Sequence, residues 1–178
     1  MQQIIILRMG HRQFRDNRIT THVGLVGRAF GAKGMILADI SDAAVEKSIN
    51  EINKNWGGNF FVEMGVSHRV YIEEWVNKGN IVVHLTMYGD YLKKTLIEEI
   101  KKKEKDILVI VGSQKVPRII YDLANYNISI SNQPHSEISA LAIFLDRYFE
   151  GKQLFNRFKG AKFEIIPSKK EKNIRRLK

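Results

Sequence analysis

Along most of the chain, short apolar runs alternate with longer stretches whose apolar residues recur every three or four positions. QQIIILRM (residues 2–9) opens this pattern as a strand. The polar stretch GHRQFRDNR (10–18) follows, and ITTHVGLVGRAFGA (19–32) reads as a helix with Thr20 or Thr21 at its N-cap. GMILAD (34–39) is a second strand. SDAAVEKSINEINKNW (41–56) is an amphipathic helix capped by Ser41 or Asp42 and closed by Gly57 and Gly58. NFFVEMGV (59–66) and HRVYIEEWVNKG (68–79) repeat the alternation, as do NIVVHLTMYG (80–89) and YLKKTLIEEIKKKEK (91–105). DILVIVGS (106–113), PRIIYDLA (117–124), YNISIS (126–131) and HSEISALAIFLDRYFEG (135–151) complete it as strand, short helix, strand and long helix.

Strands alternating with helices predict an α/β fold, a mostly parallel sheet with helices on both faces. The continuously apolar runs IIIL, MILA, IVVHL and ILVIV are what strands buried on both sides require. The pattern changes after residue 150. LFNRFKGAKFEIIPS (154–168) reads as two short strands around Lys159 and Gly160. The run KKEKNIRRLK (169–178) carries six basic residues and one acid, and reads as a solvated tail or as an arm that contacts phosphate. Residues 1–150 are therefore expected to form one domain, and 151–178 a C-terminal hairpin and basic tail.

Charge changes the picture next. The 178 residues hold 29 Lys and Arg against 19 Asp and Glu, a net charge of +10 that points to a polyanionic partner such as RNA. There is no cysteine, which excludes disulfides, thiolate zinc sites and thiol nucleophiles. No apolar run reaches the ~20 residues needed to cross a bilayer, and the N-terminal residues lack a signal-peptide pattern, so a cytoplasmic protein without a membrane partner is expected. His135 and Glu137 are too close together and too isolated to suggest a metal site, and none is expected.

In parallel α/β sheets ligands sit beyond the carboxyl ends of the strands. Three such ends stand out: Leu85 to Gly89, Gly112 to Pro117 (GSQKVP), and NQPHSE (132–137). GSQKVP lacks the GxxxxGK[ST] pattern, and no GxGxxG occurs, which argues against P-loop hydrolysis and an ordinary dinucleotide fold. In NQPHSE, Asn132 reads as a cap for a helix starting at Pro134, with Glu137 favoured by the helix dipole. That accounts for Asn, Pro and Glu but not for Gln133, His135 and Ser136 side by side.

GHRQFRDNRITTHVGLVGRAFGAKGMIL, LTMYG, ILVIVGSQKVP and ISNQPHSEISALAIFLDRYFEG together resemble, in order, a family of archaeal tRNA 2'-O-methyltransferases of the SPOUT superfamily, which act on the cytidine at tRNA position 56. The similarity runs from about residue 4 to 166. The resemblance implies a deep C-terminal trefoil knot, S-adenosyl-L-methionine as cofactor, tRNA as substrate, and an active homodimer with contacts on the first and last long helices. It implies a cofactor site lined by Leu85, by Gly112, Ser113, Gln114, Lys115 and Val116, and by Ile130, Ser131, Asn132, Gln133, Pro134, His135, Ser136 and Glu137.

The resemblance also implies an arginine in the first motif that activates the ribose hydroxyl. Other 2'-O-methyltransferases of the superfamily carry it inside the first helix, ahead of a segment like Ala29-Phe30-Gly31; here that position is Leu25, and the arginines come earlier. Arg18, nearest the helix start, is expected to activate the hydroxyl, with Arg12 and Arg15 on phosphates and Asp16 orienting one of them. The residues leave other readings open. All three arginines serve as phosphate contacts in one; in another an RNA phosphate takes the proton, since a guanidinium is a poor base; in a third His11 or His22 is the base. Another RNA nucleotide as target, or RNA binding without catalysis, also fits the residues alone.

Overall fold

The computed structural model describes residues 2–112 and 115–177. Six strands form one parallel sheet: β1 (Ile4–Met9), β2 (Gly34–Ala38), β3 (Phe61–Val66), β4 (Ile81–Tyr91), β5 (Ile107–Gly112) and β6 (Tyr126–Ser129). Their order across the sheet is β3-β2-β1-β5-β4-β6. Six helices connect or follow them: α1 (Asn17–Ala29), α2 (Ala43–Trp56), α3 (His68–Asn77), α4 (Lys94–Lys102), α5 (Arg118–Leu123) and α6 (Glu137–Phe149).

Two apolar layers sandwich the sheet because each strand alternates its side chains between faces. On β1, Ile4 and Ile6 join Val23, Val45, Ile49, Ile97 and Phe144 of the layer beneath α1, α2, α4 and α6. Ile5, Leu7 and Met9 join Ile72, Trp75 and Ile120 beneath α3 and α5. All six β1 positions are buried, which is why the run reads as continuously apolar. The exception is Arg8, fully buried on the central strand of the apolar run.

Element ends follow local chemistry. Asp42 caps α2 by accepting from the N–H groups of Ala44 and Val45, and Gly57 ends the helix at φ +77°. The expected Thr20 or Thr21 cap of α1 is corrected. That helix starts at Asn17 with Asp16 at the cap position, and the Asp16 carboxylate is taken by Arg12 instead of helix N–H groups. Likewise α6 is capped by Ser136, which accepts from Ile138 N–H; neither Asn132 nor Pro134 opens it. Glu137 does occupy the first turn, where a carboxylate suits the helix dipole. The helix expected from residue 91 begins at Lys94, because β4 continues to Tyr91.

The C-terminal segment differs most from expectation. No strand pair forms around Lys159 and Gly160. Instead β7 (Phe163–Ile166) pairs antiparallel with β8 (Asn173–Arg176), so much of the basic tail is itself a strand. The Lys159 region serves as an anchor: Gly58 N–H donates to Lys159 O, Lys162 N–H donates to Asn55 O, and the Phe158 ring lies 4.3 Å from the Arg28 guanidinium. A Cβ at Gly57 would stand 2.6 Å from Lys159 O, so this crossing requires glycine.

Candidate active site

The carboxyl ends of β4, β5 and β6 enclose a cavity of about 960 Å³, within the range of small-molecule sites. Its shape comes from an excursion of β4. Leu85 pairs with Ile128 of β6, and Asp90 pairs with the same residue, so residues 86–89 loop out of the sheet and back. Thr86, Met87 and Tyr88 on that loop form one wall. Thr86 Oγ1 sits 2.8 Å from the Tyr121 hydroxyl, fixing the wall to α5. Gly89 crosses tightly over β6; a Cβ there would lie 2.4 Å from Asn127 O.

Leu85, Val111, Val116, Ile130 and Ala140 make the apolar surface of the cavity, and Lys115, Arg118, Asp122, His135 and Glu137 bring charge or polarity to it. An apolar slot with a few polar groups suits a ligand with a flat heterocycle at one end and a charged group at the other. His84, buried in the cavity wall, bonds Asn127 Oδ1 at 2.9 Å and meets Tyr121 edge-on at 4.7 Å. Burial pushes its pKa below the ordinary imidazole value, partly offset by the Asn127 bond.

Leu85, Gly112, Lys115, Val116, Ile130, His135 and Glu137 of the expected cofactor set line the cavity. Ser113 and Gln114 lie outside the described residues. The other five support the loop rather than face the space. Ser131 Oγ accepts from Gln133 N–H, the Asn132 amide donates to Met87 O, Pro134 leads into the helix, and Ser136 caps it. Asn132 thus ties the third loop to the first.

Arg12, Arg15 and Arg18 do not line the cavity. Arg12 and Arg15 belong to the loop that leaves β1, and Arg18 to the first turn of α1; β1 ends beside β5, where Met9 pairs with Gly112 at the start of the GSQKVP segment. Arg12 holds Asp16 with two bonds, Nε to Oδ2 at 2.9 Å and Nη2 to Oδ1 at 3.0 Å. The hydrogen bonds from Arg12 lower the Asp16 carboxyl to about 2. Arg15 and Arg18 are exposed.

The loop and the cavity meet through Arg8, to which the sequence pattern assigned no role. The Arg8 guanidinium donates from Nη2 to Glu137 Oε1 at 2.9 Å. Its Nε donates to Thr20 Oγ1 at 3.4 Å. Thr20 Oγ1 also lies 2.8 Å from His11 Nδ1, and His11 Nε2 lies 3.0 Å from Asp42 Oδ2. Burial pulls Arg8 below its usual pKa, while the charge and hydrogen bond of Glu137 pull it back; at that intrinsic basicity the side chain stays cationic. Both ring nitrogens of His11 are engaged in this buried chain, so His11 is a structural strut. His22 is exposed on α1. The signal for Arg8 was present: a charge inside IIILRM must find a partner if the strand is buried. His84 inside IVVHL gave the same kind of signal.

Comparison with known proteins identifies the lineage. The family model described as tRNA ribose 2'-O-methyltransferase, aTrm56, matches residues 56–175. The chain belongs to this family. A tRNA (cytidine(56)-2'-O)-methyltransferase of Staphylothermus marinus is 51% identical over 175 residues, covering 98% of this chain and 94% of the relative. Its counterpart from Methanocella arvoryzae is 52% identical over 176 residues, covering 98% of both. Among solved structures, the SpoU methyltransferase AviRb of Streptomyces viridochromogenes in complex with AdoMet superposes with a TM-score of 0.60 at 15% identity. That superposition covers 85% of this chain and 60% of the other. The TrmH/SpoU tRNA-modifying enzyme of A. aeolicus gives 0.58 at 16% identity, over 89% and 81%. At such identities the superpositions establish the shared sheet and helix arrangement. This chain thus combines the aTrm56 family match with a SpoU-type sheet and helix arrangement.

Proposed function

We propose that this protein is an S-adenosylmethionine-dependent methyltransferase that modifies the ribose 2'-oxygen of cytidine 56 in tRNA. The observation that carries it is the near-complete, half-identical match to relatives of that name. The cavity at the ends of β4, β5 and β6 supports it, being large enough and mixed enough in polarity for such a cofactor.

When bound, S-adenosylmethionine supplies a methyl group already activated on a sulfonium, so the protein's work is alignment and removal of one proton. Leu85, Val116 and Ile130, which line the cavity, would hold the apolar adenine part of the cofactor. Glu137, fixed by Arg8, and His135 would meet the polar methionyl part. Asn132 and Ser136 hold the third loop in shape around it. Arg15 and Arg12 bind flanking phosphates, with Asp16 fixing the Arg12 fork. Arg18 places a permanent positive charge near the 2'-hydroxyl, which lowers the cost of forming the alkoxide. A guanidinium is not emptied near neutral pH, so the proton passes to an oxygen of an adjacent RNA phosphate. We assign residues 1–150 to the catalytic domain and 151–178 to a C-terminal unit. The strand order, in which β6 lies beyond β4 from β5, supports our assignment of a C-terminal trefoil knot. The working protein is a cytoplasmic homodimer joined through α1 and α6, on which Ile19 and Ile143 are exposed.

The test is direct: incubate the protein with unmodified tRNA transcript and labelled S-adenosylmethionine, then map the label. A 2'-O-methyl group on cytidine 56 supports the reading. Label on another nucleotide keeps the chemistry and overturns the substrate. No transfer and no cofactor binding by calorimetry overturns both.

A further inference from the structure

The loop after β1 holds one residue that serves neither the core nor the cavity. Phe14 is 94% exposed, the most exposed of the large apolar side chains described. Its backbone lies at φ +64°, a region that aromatic residues seldom occupy. Arg15 N–H donates to Gln13 O at 2.8 Å, so Phe14 sits at the centre of a three-residue turn of the rare, strained kind. Such strain persists only where the surroundings hold it in place.

Here the surroundings do so on both sides. Behind the turn, His11 is locked between Thr20 and Asp42. Ahead of it, Asp16 is gripped by both prongs of Arg12, and Asp16 N–H donates to Arg12 O at 2.9 Å. The Gln13 amide donates to Ser41 O, which pins the turn to the segment after β2. A stiff base therefore raises a bare ring into solvent. The fold gains no burial from that ring, and its neighbours are exposed Arg15 and Arg18 and half-buried Arg12.

We infer that Phe14 is a stacking platform for an unpaired nucleobase of the RNA substrate. An aromatic face within a cluster of arginines matches the two parts of a nucleotide: the ring takes the base and the guanidinium groups take the phosphates. A ring already fixed in its bound position loses little entropy on binding. The loop that carries it leaves β1 just after Met9, which pairs with Gly112 at the end of β5, so a base stacked on it lies at the carboxyl end of the sheet, where the cavity also opens. This extends the tRNA reading above, on which it depends for the class of partner.

The test compares Phe14→Ala and Phe14→Trp with the unaltered protein. Tight binding to tRNA transcript is measured across a salt series, S-adenosylmethionine binding by calorimetry, and mass by sedimentation. Phe14→Ala should weaken tRNA binding about ten-fold, as loss of one stacked base does. The slope of affinity against salt, the cofactor affinity and the melting temperature should stay unchanged. Phe14→Trp should bind within about three-fold of the original, with added indole emission that tRNA quenches. Arg15→Ala should lower the salt slope by about one, because it removes a phosphate contact. Unchanged tRNA affinity in Phe14→Ala overturns the proposal. So does loss of the dimer in that variant, which would assign the ring to self-association. If the unaltered protein methylates tRNA and these variants do not differ, the stacking claim fails alone; if it neither methylates nor binds tRNA, the functional reading fails with it.

Discussion

The cavity and the arginine loop both stand at the carboxyl ends of the sheet strands, yet they are built on opposite principles. The cavity is concave and largely apolar, shaped by backbone: the β4 excursion and the Gly89 crossing. The loop is convex, its form set by charged and polar side chains that pair beneath it and point outward above it. A small ligand must be surrounded and desolvated, which backbone and methyl groups do well. A polyanion arrives from solvent and is best met by exposed, fixed cations. The difference teaches that the two surfaces can be damaged separately. The Arg8–Glu137 pair is where they are coupled.

The largest effect is expected from the convex side. Arg18→Ala should lower methyl transfer by about a hundred-fold, the scale of removing one donor at a developing oxyanion, with cofactor affinity within two-fold. A matching loss of cofactor binding would erase the distinction between the two surfaces. Next, Arg8→Met cuts their connection. It strands a partly buried carboxylate and removes a donor from Thr20, so stability to denaturant should fall by about 3 kcal/mol. Cofactor affinity should fall too. Arg8→Met with Glu137→Leu should recover stability beyond the sum of the single changes, a coupling of about 1 kcal/mol or more. An additive pair would show that the regions are not linked here.

On the concave side, Gly89→Ala presses a methyl group onto the β6 backbone and should cost about 2 kcal/mol. It should weaken cofactor binding while leaving tRNA affinity nearly intact, measured by calorimetry and filter binding. The two regions should also answer acid differently. His84 has a folded pKa below its ordinary value, so the unfolded chain takes up the proton first. Its contribution is complete above about pH 6.5 and fades as pH falls, by at most about 1.4 kcal/mol per pH unit. His84→Gln should flatten that slope. Asp16 has a depressed pKa, so its stabilisation is complete above about pH 4 and is lost as pH falls through about 2. Asp16→Asn should remove this lower limb and cost less than about 1 kcal/mol, since the Arg12 side chain is more than a third exposed and solvent screens the pair.

Much of this could be read before any coordinates. The repeated strand and helix periods predicted the parallel sheet, and all six strands and six helices occur within a few residues of the expected places. Asp42 was legible as a cap because capping depends on residues adjacent in sequence. The α1 and α6 caps were misread for a related reason: Asp16 and Asn132 are each used by a partner the local pattern does not reveal, Arg12 across a turn and Met87 on another strand. The hairpin was placed too early because a Lys-Gly pair resembles a turn, whereas that segment is held by α2 and the strand forms with the tail.

The sequence by itself therefore determined the periods, the charge balance and the motifs, because those express short-range preferences of backbone and side chain. Only the tertiary structure decided that β6 lies outside β4, that residues 86–89 leave the sheet, and that Arg8 meets Glu137 across 129 positions. Such contacts depend on how the chain passes over itself, and the free energy that selects them belongs to the packed molecule rather than to any one segment.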